Sequence, residues 1–143
     1  MLTRRALITL SLIAALVGCA SIGTRETSLA GRWYGEDFQP YIGGSAKWLM
    51  DRKPDGTYSV VFRRYKDNQA IGEQRERGRW AFSNGMYTTL TQFIGDEPTD
   101  PKDKHFHDIY FVESFDGDEM TYKHVETGLM FKSKRVSDGF QLP

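Results

Sequence analysis

The sequence predicts an all-β protein, an eight-stranded antiparallel up-and-down barrel behind a short leader. Three observations predict it. Segments rich in aromatic and β-branched residues alternate with turn signals roughly every 8–15 residues from Leu29 onward. Residues 70–82 alternate so that Glu73, Arg75, Arg77 and Arg79 share one face, while Gln74, Glu76, Gly78, Trp80 and Phe82 share the other. No run after the leader carries a helical hydrophobic period. The chain has 143 residues, enough for one such domain.

The leader comes first. Arg4 and Arg5 precede an apolar run, Ala6–Val17, that is too short to span a bilayer, which takes about 20 residues. With these flanks it reads as an export signal. It ends in Leu16-Val17-Gly18-Cys19, which resembles the lipobox of bacterial lipoproteins. The resemblance implies a signal peptide over 1–18, cleavage before Cys19, and acylation of Cys19 as a membrane anchor. Ala20 is not the Asp that keeps such lipoproteins at the inner membrane. The implied address is the periplasmic face of the outer membrane. Cys19 is the sole cysteine, so the domain has no internal disulfide and holds by packing and strand ladders. Residues 19–28 are small and polar and read as a tether of about 30 Å at most. Cleavage removes two arginines and no acid, leaving a slightly acidic mature chain. That charge does not support a nucleic-acid partner.

The domain is read as 29–137, with strands at 31–36, 46–52, 57–66, 70–82, 86–94, 105–115, 120–126 and 129–136. Between the first two lies a loop, 37–45, with room for a short helix. Lys53-Pro54-Asp55-Gly56 is a turn in which Pro fixes φ and Gly takes the left-handed position. The long fourth segment is expected to bend or bulge near Gly72 or Gly78. Asn84-Gly85 is a strong hairpin signal. Residues 95–104 are polar, carry two prolines, and read as a loop. Tight turns join antiparallel neighbours, and eight such strands can close and hide both edges. Residues 138–143 read as a loosely held tail.

Gly31, Trp33 and Arg135 carry a second resemblance. Gly31-Arg32-Trp33 looks like the Gly-X-Trp of the first strand of lipocalin-like (calycin) proteins, and Arg135 lies on the last strand, on one face with Phe131 and Ser133. The resemblance implies that Arg135 packs over Trp33, which plugs one end of the barrel. The chain is shorter than a typical lipocalin and lacks the helix that follows the barrel there. Its shorter strands predict a shallower cup.

An eight-stranded barrel is either filled by side chains or holds one small ligand. The inward candidates are Trp48, Tyr58, Phe62, Gln74, Glu76, Trp80, Tyr110 and Tyr122, with Met50, Val60 and Leu90 beside them. A buried Glu76 needs a partner, and Arg64 or Arg135 could supply it. His105 and His107 fall on one strand face, but His124 is placed too far along to share an ion with them, so no metal is expected. The arginines of 70–82, with Arg63, read as a solvated face. There is no nucleophile elbow, phosphate loop or His-Glu-x-x-His. The expectation is a non-enzymatic lipoprotein, without cofactor, that binds a small apolar or amphipathic, lipid-like ligand. The alternative is an interaction or inhibitor module of the envelope acting through loops such as 95–104, its protein partner unknown.

Overall fold

The computed structural model describes residues 29–143; the signal-peptide, Cys19 and tether readings fall on residues 1–28, outside the described residues. Nine strands form: β1 (Gly31–Gln39), β2 (Gly44–Arg52), β3 (Thr57–Lys66), β4 (Gln69–Ser83), β5 (Met86–Ile94), β6 (Glu97–Pro98), β7 (His107–Phe115), β8 (Glu119–His124) and β9 (Met130–Val136). All but the two-residue β6 make one closed antiparallel barrel. β1 pairs with β2 and β9, and β4 pairs with both β3 and β5. The fold class read from the sequence is the fold observed.

Local chemistry sets the turns. Asn84 and Gly85 take φ of 51° and 79°, the left-handed pair of a two-residue hairpin. Asp55 accepts hydrogen bonds from the backbone N–H and hydroxyl of Thr57. Asp116 accepts from the N–H groups of Asp118 and Glu119, which closes the β7–β8 turn. These contacts hold the Asp116 carboxyl below the usual aspartate range.

Closure occurs between β4 and β5 and requires Gly78. A Cβ there would lie 1.9 Å from the carbonyl oxygen of Leu90. The register shifts at this point, between Arg77 and Gly78, and again where Arg64 and Tyr65 face β4 near Gly72. Both bends fall where the glycines predicted them.

The ends of the barrel differ. The chain enters at the base, where Trp33 is fully buried and its indole N–H donates to Leu29 O at 3.0 Å. The Arg135 guanidinium lies 4.5 Å from the Trp33 ring and donates to Ala30 O and Gly117 O, each at 2.7 Å. Phe115 packs on Trp33 at 6.0 Å, and Met120 is buried beside this cluster. Trp33 is thus the plug, with Arg135 over it. The mouth carries the turns after β1, β3, β5 and β8.

Three expectations change. The tail is held along the outer wall: Phe140 packs on Tyr34, Arg63 donates to Leu142 O, and the Tyr65 hydroxyl reaches Pro143 O. The segment 95–104 contains β6, paired to Phe93 and Ile94. A 3-10 turn, Lys104–Phe106, precedes β7 because the Asp103 carboxylate accepts from His105 N–H at 3.0 Å. His105 and His107 therefore do not share a strand face.

Candidate functional site

A cavity of about 120 Å³ lies inside the mouth half of the barrel. Strand alternation supplies its wall. Trp48 and Met50 project from β2, Tyr58, Val60 and Phe62 from β3, and Tyr110, Tyr122 and Phe131 from β7, β8 and β9. Gly35 makes the seat for Trp48, since a Cβ at that position would lie 2.1 Å from the indole ring. Trp48 meets Phe131 edge-on at 6.0 Å, and Tyr110 meets Tyr122 edge-on at 5.3 Å. These tilted pairs are the favoured aromatic geometry.

Glu76 is the polar centre of the wall. Its carboxylate accepts from Gln74 Nε2 at 2.6 Å and from Thr91 Oγ1 at 3.2 Å. Thr91 Oγ1 also meets the Tyr58 hydroxyl at 2.7 Å, so β3, β4 and β5 share one hydrogen-bonded chain. Burial pushes the Glu76 carboxyl up, and the negative charge of Asp108 pushes the same way. Asp108 itself faces the cavity and meets His124 Nε2 at 3.2 Å. Burial raises the phenols of Tyr58, Tyr110 and Tyr122, so all three are neutral hydroxyls near pH 7.

Of the eight ligand-site residues expected, six line this one cavity: Trp48, Tyr58, Phe62, Glu76, Tyr110 and Tyr122. Two do not. Gln74 is exposed and touches the site only through Glu76. Trp80 is buried at the base, where its indole N–H donates to Lys53 O at 2.9 Å. It faces inward as alternation requires, but Gly78 already pairs with Tyr58 near the start of β3, which puts Trp80 level with the turn below. Leu90 is also misplaced: it pairs with Arg79 on the outer face, while Thr89 and Thr91 point inward. The partner of Glu76 is neither Arg64 nor Arg135.

Sequence reasoning missed Tyr87, Thr89, Asp37, Asp108 and Phe131 in the wall. The inward parity of β5 would have found Tyr87 and Thr89. It also missed Arg52, which is 2% exposed, with its guanidinium 4.3 Å from the Tyr87 ring. Two of its nitrogens, Nε and Nη1, have no hydrogen-bond partner among the described residues.

The histidines and the arginine stripe serve local ends. His105 binds Asp103 and His107 meets Pro101 O. Among the described residues, no three His, Cys, Asp or Glu stand close enough to hold a metal ion. Glu73 pairs with both Arg63 and Arg75 on the outer face.

A closed eight-stranded antiparallel barrel, with a first-strand Trp at its base and a last-strand Arg over it, defines a lipocalin-like fold. Among solved structures, a lipocalin-like protein from Bacteroides uniformis has the same fold. It is 15% identical, with 76% of this chain and 99% of that chain covered and a TM-score of 0.50. No protein-family model and no curated protein matches the sequence.

Proposed function

We propose that this chain is a non-catalytic binding protein of the cell envelope, anchored by an acylated Cys19, that holds part of a small amphipathic molecule in its barrel. One observation carries the reading: the mouth half of the barrel is not filled, and its wall combines aromatic faces with Glu76. The space is close to the roughly 150 Å³ that suffices for benzene, and below the roughly 300–1,000 Å³ of drug-sized pockets. It fits a ring or a short chain segment, with the rest of the molecule leaving through the mouth. The anchor and the periplasmic address are supported by Leu16-Val17-Gly18-Cys19 and Ala20.

The test is native mass spectrometry of the full chain extracted from its own host's envelope in mild detergent. The expected result is a reproducible added mass that Tyr58→Ala abolishes. A bare protein mass, unchanged on adding host lipid extract, overturns the reading. Cys19→Ser should move the protein from the membrane to the soluble fraction; retention in the membrane overturns the anchor.

The alternative, an interaction module, has one observation in its favour. Ile109, Phe111, Val125, Leu129 and Met130 are exposed on the outside of β7–β9 and the β8–β9 turn. A bare mass would shift attention to that surface and to the loops.

A further inference from the structure

The charge and the aromatic geometry of the cavity define a ligand class more narrowly than its size does. Asp37 from β1, Glu76 from β4 and Asp108 from β7 all reach the space, and no Lys, Arg or His is among its lining residues. Among the described residues, the basic group that meets one of these carboxylates is His124, on Asp108. Glu76 has only neutral partners, Gln74 and Thr91. The negative charge of Asp108 acts on the partly buried Glu76 carboxyl, and a cation bound between them relieves that repulsion.

The rings point the same way. Trp48, Tyr58, Tyr110 and Tyr122 all line the cavity. The face of an aromatic ring is negative and attracts an ammonium group.

Arg52 gives the site a direction. It lies against Tyr87, behind the cavity wall and toward the base. Positive charge therefore stands at the inner end and negative charge at the mouth. A cation is favoured at the mouth and disfavoured at depth.

We propose, resting on the binding reading above, that the cavity selects an organic cation. The ammonium group sits beside Glu76 and Asp108, and an aromatic or short aliphatic body lies inward against Trp48, Tyr58 and Tyr110.

The test is calorimetric titration of the detergent-solubilised full chain with three probes of similar shape: 2-phenylethylammonium, 2-phenylethanol and phenylacetate. The ammonium should bind about tenfold or more tightly than the alcohol, with the carboxylate weakest. Glu76→Gln should weaken the ammonium far more than the alcohol and so remove that preference. Asp108→Asn gives the same readout should Glu76→Gln fail to fold. Equal affinity for ammonium and alcohol, or a preference that survives both substitutions, overturns the inference. Tighter binding of the alcohol or the carboxylate overturns it too, yet leaves the binding reading standing. If no probe binds, the organic-cation inference falls, and the binding reading falls with it only where the host-purified protein also shows a bare mass.

Discussion

At the base of the barrel Trp33 is enclosed on every side, while at the mouth Trp48 lines an unfilled space. Some raw materials are alike: a Trp, several rings and a glycine against which a ring or guanidinium rests. At the base, Arg135 donates to two backbone carbonyls and covers the indole, and the chain's own entry at Leu29 accepts the indole N–H. At the mouth, the polar groups are carboxylates that meet each other's field, and rings meet edge to face around a gap. At the base the indole and the Arg135 guanidinium find backbone acceptors, whereas at the mouth carboxylates line open space.

That contrast can be broken in order of expected effect. Trp33→Ala should cost about 3–5 kcal/mol in a urea melt, as for other enclosed aromatic residues. A loss no greater than that of Trp48→Ala would erase the distinction between the two ends. Arg135→Leu should cost about 2 kcal/mol, since it removes a cation–π contact and two charge-assisted hydrogen bonds. Trp48→Ala should cost only about 1–2 kcal/mol, because one side of its ring already faces the cavity. The smallest effect is expected at Glu76. Its folded carboxyl holds its proton above the ordinary glutamate range, so the folded state binds more protons than the unfolded one there. Stability attributable to this group therefore falls as the pH rises through that window. Glu76→Gln should stabilise the protein near neutral pH, with the gain gone near pH ~4. A gain that is equal at both pH values would mean that the carboxyl is not the cause.

The base was more legible in the sequence than the mouth. Gly31, Trp33 and Arg135 act in fixed relation, and turn residues such as Asn84-Gly85 declare their geometry locally. Alternation also told which side chains of β3 and β4 face inward. It could not tell how high they sit, because height follows from the pairing register; Trp80 and Trp48 look alike in the sequence and lie at opposite ends. Hydropathy misled on β5, where Leu90 points out and Thr89 and Thr91 point in. Those threonines are tolerated inside because Thr91 bonds both Tyr58 and Glu76. Arg52 read as the last residue before a turn, and nothing local marks it as buried between Trp33 and Tyr87.

The described chain begins at the plugged end, so in the anchored protein proposed above the cup hangs by its foot. With a short tether drawn taut, its rim would face the aqueous compartment and the bilayer would lie behind its stopper. Cargo would then be exchanged with carriers or solutes arriving through that compartment. A molecule leaving the anchoring leaflet would have to travel the height of the barrel through water before it reached the opening.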